Sequence, residues 1–288
     1  MAPLPAEASA STHPGHPLRN RILSALVLAP PALALVWFAD RGPTLFLVFQ
    51  LWIALAAAWM AHEWTRLTAR GRFGAAGLLL TVGVAVAVGV TGHGVTPGHS
   101  AAGLLAVGVV VYGLARGAGV DAPGWLAAGA LAIGVPCVAF AWLRQQPAEG
   151  RTAVVWLLAV VWATDIGAYA AGKTVGGPRL APRISPNKTW AGLLGGIVSA
   201  ALVGGIVSVA LGDGRLTAGV LASGGLALVA QAGDLGESLA KRRFGVKDTG
   251  GLIPGHGGLL DRVDGLLATA PVVALVVWLE GGGLLGWT

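Results

Sequence analysis

This chain is short of charge. Only 11% of its 288 residues are Asp, Glu, Lys or Arg, and 55% are hydrophobic. Water-soluble domains carry roughly 25% charged residues, so a soluble globule is excluded. Acid is scarcer than base, 13 residues against 19, which leaves a net charge of +6. Cysteine occurs once, as Cys137 in an apolar run, so no intrachain disulfide can form. No basic run interleaved with aromatics is present, so the excess of base does not indicate nucleic-acid binding. The first apolar run is not followed by a small-residue cleavage site, and it is expected to be a retained helix rather than a signal peptide. No internal repeat is found.

What the chain does have is long apolar runs, near 21–39, 44–62, 75–92, 101–115, 125–143, 152–172, 191–211, 216–236 and 266–280. About 20 apolar residues span a bilayer as a helix. The expected fold is therefore an all-α, polytopic transmembrane bundle of about nine spans. The runs at 75–92, 101–115 and 266–280 are glycine-rich or short and depend on support from neighbouring helices. Residues 1–20 are expected to be a disordered cytoplasmic tail, and 21–288 a single transmembrane domain with its catalytic surface mainly from 160–265. With the N-terminus inside, only Arg41, Arg144, Arg151 and Arg215 of the 19 basic residues fall outside. This bias puts the polar loops in the cytoplasm, and the expected location is the cell inner membrane. Gly192 and Gly196 form a G-x-x-x-G of the kind found where helices approach closely. Packing within the subunit is the favoured reading, and a homodimer seam is the alternative.

Chemistry concentrates in the second half. Residues 233–264 hold five of the 13 acids, Asp234, Glu237, Asp248, Asp261 and Asp264. Asp234, Glu237, Ser238 and Lys241 fall at helical spacing and share one face, and Asp261 and Asp264 share another. Two such acidic pairs meeting across a loop could hold Mg²⁺, a hard ion that takes carboxylate and phosphate oxygens together. The metal set so read is Asp234, Glu237, Asp261 and Asp264, and a second cation is left open. His256 is flanked by glycines that allow close backbone approach to a ligand. Lys241, Arg242, Arg243, Lys247 and Arg262 offset anionic charge. The plainer reading is a salt-bridged juxtamembrane loop with a polybasic patch for anionic lipid headgroups. Acids at helical spacing beside membrane segments favour a site.

Two upstream features join it. Asp165 follows a dozen apolar residues, a position that costs about 3 kcal/mol on insertion scales. Tyr169 and Lys173 follow at successive turns on the same face. From Lys173 to Trp190, prolines and glycines break any helix, and the segment carries Lys173, Arg179, Arg183 and Lys188 with no acid. Ser185, Asn187, Lys188 and Thr189 then open the next helix, where hydroxyls and free N–H groups can receive phosphate oxygens. Arg179 and Arg183 equally suit a positive-inside loop, and Ser185 or Thr189 a helix cap.

At these residues the chain resembles the phosphatidate cytidylyltransferase (CDP-diacylglycerol synthase) family. Its signature is matched by Ser238, Lys241-Arg242, Lys247-Asp248, His256-Gly257-Gly258 and Asp261-Arg262-Val263-Asp264, with every spacing kept. Asp165, Tyr169 and the run Ser185 to Trp190 are also similar. Lys173 stands where an arginine is expected, and Ala191 where relatives often carry a glutamate. The resemblance covers about 160–265, and it implies transfer of the cytidylyl group of CTP to phosphatidate with Mg²⁺, at the cytoplasmic face, on a membrane lipid. It implies catalytic roles for Asp234, Lys241, Lys247, Asp248, His256, Asp261, Arg262 and Asp264. Substrate contacts fall to Asp165, Tyr169, Ser185, Asn187, Lys188, Thr189, Ser238 and Arg242. A CTP-dependent polyprenol or phytol kinase is the nearest alternative. A membrane transporter could also carry Asp165 and charged loops, but it gives no reason for the Asp-Arg-x-Asp spacing.

Overall fold

The computed structural model describes residues 30–146, 149–211, 216–250 and 257–281. Residues 30–38 are helical and run into a 3-10 turn, Ala39–Arg41. Eight longer helices follow: α1 (Pro43–Thr68), α2 (Ala75–Val90), α3 (Pro97–Gly117), α4 (Pro123–Arg144), α5 (Gly150–Thr174), α6 (Trp190–Leu211), α7 (Leu216–Arg243) and α8 (Leu260–Leu279). Proline opens α1, α3 and α4, where its fixed φ is already helical and its missing N–H is not needed.

The chain is an all-α polytopic membrane protein. Every one of these helices except α2 is long and apolar enough to cross a membrane, and they coincide with seven of the nine expected runs. On α6, Leu194, Val198, Leu202 and Ile206 are each more than half exposed at four-residue spacing. Such a stripe suits hydrocarbon, which is its natural solvent. The first expected run is described only from residue 30, and the tail lies outside the described residues.

The run at 75–92 behaves differently. It forms a helix of 16 residues, about 24 Å long and shorter than the roughly 30 Å hydrocarbon core. Its last carbonyls therefore need donors from the protein. Gln50 of α1, 3% exposed, donates its amide to the carbonyls of Val88 (3.3 Å), Gly89 (3.4 Å) and Thr91. Gln145 adds a second donor to Thr91 at 3.1 Å. A helix somewhat short of the hydrocarbon thickness is thus stitched into the bundle.

Small residues set the packing of the second half. A Cβ on Gly195 of α6 would lie 2.2 Å from the Ala171 Cβ of α5, and one on Gly196 would lie 3.0 Å from the Thr164 carbonyl. The G-x-x-x-G therefore packs within one chain. A Cβ on Gly204 or Gly219 would likewise strike Ser223 or Ser208 across the α6–α7 contact, and one on Gly233 of α7 would meet Ala268 and the Asp264 carbonyl of α8. In the first half, Trp64, Leu80 and Leu104 are buried, and Gly129 and Gly134 of α4 give them room. Helix α4 packs on α8 and joins the halves.

The segment expected to be an irregular loop between α5 and α6 is partly ordered as a ribbon. Gly176 and Gly177, at φ of 66° and 92°, turn the chain out of α5 through a region that only glycine enters freely. Strands β1 (Arg179–Ala181) and β2 (Ser185–Thr189) then pair antiparallel, Arg179 opposite Thr189 and Ala181 opposite Ser185.

Candidate functional site

The cluster sits at the end of the bundle where α1, α5 and α7 finish and α6 and α8 begin. Helix α7 brings Asp234, Glu237, Ser238 and Lys241 on one face, as the spacing predicts. The Lys241 ammonium lies 3.0 Å from Glu237 and 2.9 Å from Asp261 of α8. All three side chains are nearly enclosed, at 15%, 8% and 4% exposure. One turn earlier, Lys188 of β2 lies 2.6 Å from Asp234 and donates to Gln231 at 2.9 Å. Ser238 donates to Asp234 at 3.4 Å. Two lysines thus each hold an acid of α7, one reaching in from the ribbon.

Asp261 is the most heavily engaged carboxylate. Besides Lys241, it accepts the backbone N–H groups of Thr249 (3.0 Å) and Gly258 (2.8 Å). Gly257 leaves no room for a side chain there, since its Cβ would lie 2.8 Å from Asp261 and 3.5 Å from Asp248. Asp264 accepts from the Gly265 N–H at 2.7 Å and lies across the Gly233 contact from Asp234. The charges of Asp234, Asp264 and Lys188 act on Asp165 of α5, and Glu237 interacts with both Asp261 and Asp264. Asp165, Asp234, Glu237, Asp261 and Asp264 therefore converge from three helices, as the sequence led us to expect of the acids on α7 and α8.

Other expected residues are placed differently. Tyr169 is exposed and pairs with Lys173, whose ammonium is 3.4 Å from its hydroxyl. Thr189 is buried and accepts the Gly192 N–H at 3.0 Å, so it caps α6. Ser185 and Asn187 lie on β2, Asn187 exposed. Arg242 donates to the Ile184 carbonyl at 3.3 Å and ties α7 to the ribbon. Lys247, Asp248 and Arg262 are exposed at the rim. His256 lies outside the described residues.

Two buried residues were not anticipated. Gln231 holds Lys188 in place. Glu63, on α1 and 3% exposed, accepts the N–H groups of Leu259 (3.0 Å) and Leu260 (2.9 Å) at the start of α8. Glu63 stands one residue past the expected run 44–62, in a helix that continues to Thr68, and its own segment does not mark it as Asp165 is marked.

The donor set suits a hard cation. Five carboxylates supply only oxygen, the ligand type that Mg²⁺ prefers. Glu237 Oε1 lies against the Lys241 ammonium, whereas its buried Oε2 receives no hydrogen bond, and buried acceptors ordinarily have a donor. As the side chains stand, no three acids or histidines among the described residues form a ready cage. Lys188 and Lys241 occupy the neutralising positions instead.

Comparison with known proteins identifies the family. A model of the cytidylyltransferase family matches residues 19–279. A phosphatidate cytidylyltransferase of Brucella suis is 42% identical over 274 residues, covering 90% of this chain and 92% of its own. One from Pseudomonas aeruginosa is 35% identical over 277 residues, covering 92% and 99%. One from Mycobacterium leprae is 42% identical over 139 residues, covering 48% and 45%. With relatives at this identity aligned over nearly its whole length, and its acids gathered at one end of an apolar bundle, the chain belongs to the cytidylyltransferase family.

Proposed function

We propose that this protein transfers the cytidylyl group of CTP to phosphatidate, forming CDP-diacylglycerol and releasing pyrophosphate. The observation that carries the proposal is the convergence of Asp165, Asp234, Glu237, Asp261 and Asp264 with Lys188 and Lys241 at one end of a membrane bundle. The relatives named phosphatidate cytidylyltransferase support it. Basic residues cluster at the same end, which favours a cytoplasmic site. The relatives are bacterial, in keeping with the inner membrane.

An oxygen of the phosphatidate phosphate attacks the α-phosphorus of CTP. A new P–O bond forms there as the bond to the β-bridging oxygen breaks, and pyrophosphate leaves with the electron pair. The attacking group is already an anion, so no general base is needed. The difficulty is bringing two anions together, and catalysis then rests on positioning and charge stabilisation. Bound Mg²⁺, held by Asp234 and Asp264 with Glu237 and Asp261 beside them, would neutralise charge on the phosphate oxygens. Lys188 reaches the cluster from the ribbon and is the cation best placed to meet a phosphate. Lys241, locked between Glu237 and Asp261, orients those acids. Arg242, Lys247 and Arg262 line the rim and draw anions toward it. Ser185, Asn187 and Ser238 position the substrate, and His256 donates to a phosphate oxygen.

The test is to incubate purified protein with labelled CTP, phosphatidate and Mg²⁺. Label appearing in an extractable lipid, dependent on both phosphatidate and Mg²⁺, supports the proposal. Turnover of CTP without a labelled lipid would refute it.

A further inference from the structure

We infer that Glu63, in the half of the chain remote from the signature, is a positioning residue for the reacting acids on α8. The inference rests on the cytidylyl-transfer reading above and assigns a residue that the signature does not contain. Helix α8 has no side-chain cap of its own, since its N-cap position is Leu259. The first N–H groups of a helix have no intrahelical partner and require an acceptor. Glu63 supplies it from 196 residues away, one carboxylate oxygen taking the Leu259 N–H and the other the Leu260 N–H. Trp59, one turn earlier on α1, donates to the same carboxylate at 2.9 Å and fixes its rotamer.

The carboxylate also shapes the loop before α8. A Cβ on Gly250 would lie 2.7 Å from one Glu63 oxygen, and a Cβ on Gly258 would lie 2.7 Å from the other. Both glycines therefore press their backbones against Glu63. The next N–H in line, that of Gly258, goes to Asp261. Three consecutive N–H groups are thus taken by two buried carboxylates, which the positive end of the helix favours. The start of α8 is consequently filled by protein acceptors and is not a place for substrate phosphate. Its role is to fix where Asp261 and Asp264 stand, one and four residues beyond the clamp. Displacing a reacting group by about 1 Å can reduce the rate about 100-fold.

Glu63→Gln preserves shape but presents an amide NH₂ where one N–H needs an acceptor. With the full-length purified protein, we expect a folded variant whose kcat falls about 10- to 100-fold while KM for CTP changes by less than about threefold. Backbone amide exchange at Leu259 and Leu260 should accelerate about tenfold or more, with peptides of α5 and α6 unchanged. Glu63→Asp keeps the charge but is one methylene too short to reach both amides, and it should show the same split at smaller amplitude. It carries the test if Glu63→Gln does not fold. Wild-type kcat in the folded variants, or a loss that only tracks the unfolded fraction with exchange at 259–260 unchanged, would overturn the inference. A wild type that makes no CDP-diacylglycerol would instead overturn the proposed reaction, and the exchange measurement still decides whether the clamp exists.

Discussion

At the scale of single residues, the two lysines of the site are not equivalent. Both are largely enclosed, at 15% and 16% exposure, but Lys241 neutralises two buried acids, Glu237 and Asp261, whereas Asp234, the partner of Lys188, keeps a third of its side chain exposed. Removing one partner of a buried ion pair leaves an uncompensated charge and costs about 3–5 kcal/mol, while exposed pairs contribute about 0–1 kcal/mol. Lys241→Met should therefore lower the denaturation midpoint strongly and abolish activity. Lys188→Met, which frees a partly exposed acid that water can reach, should lower the midpoint less and still reduce turnover by at least about tenfold. Thermal unfolding in detergent beside an activity assay separates the two. From the sequence, both lysines read as cations that screen substrate. The four-residue spacing of Lys241 to Glu237 was visible. Its second partner, Asp261, depends on how α8 docks on α7, and the pairing of Lys188 with Asp234 on how the ribbon meets α7. Spacing within one segment reports neither. Glu63 was missed for the same reason, because its partners lie 196 residues away.

At the scale of elements, the site depends on how closely α7 and α8 approach. Gly233 permits that approach beside Asp234 and Asp264, with Ala268 and the Asp264 carbonyl where its side chain would be. Gly236, one turn on, faces open space. Gly233→Ala should push the helices apart, with a stability loss of about 1–3 kcal/mol and a fall in kcat of about 10-fold or more. Gly236→Ala should be active and as stable as wild type, and parallel melting and rate measurements check both. The helices themselves were legible because apolar runs of membrane length admit few other structures. The β1–β2 ribbon was not. Its prolines and glycines announced the end of α5, but three residues pairing with five requires α5 and α6 to be held together first. Hydropathy marked α2 as apolar but could not show that its carbonyl end would be closed by Gln50 of α1, which donates to it.

At the scale of the whole molecule, acids and bases gather at one end of the bundle, while Asp40, Arg144 and Arg151 form a separate ion-paired group at the other. If the catalytic end faces the cytoplasm, opposite ends must be reachable from opposite sides of the membrane. Cys137, the single cysteine, is buried, so introduced cysteines report without background. A cysteine at the exposed position Lys247 should react with an impermeant maleimide in inverted vesicles and not in right-side-out ones. A cysteine at Arg41 should show the reverse. The sequence placed the chemistry in 160–265, and the acid cluster does lie there, yet Glu63 anchors it from the first half. The bundle is one working unit in this sense: its N-terminal helices hold the frame on which the C-terminal acids are aimed.

The central claim is that these carboxylates and lysines serve attack at the α-phosphorus of CTP by a lipid phosphate. Its most direct measurement is the fate of CTP labelled separately at the α and γ positions, with phosphatidate and Mg²⁺, for the wild type and Asp264→Asn. The account predicts that α-label enters the lipid, γ-label leaves as pyrophosphate, and both stop, by at least about 1000-fold, in Asp264→Asn. Label from the γ position in the lipid, or an Asp264→Asn protein that transfers at the wild-type rate, would contradict it.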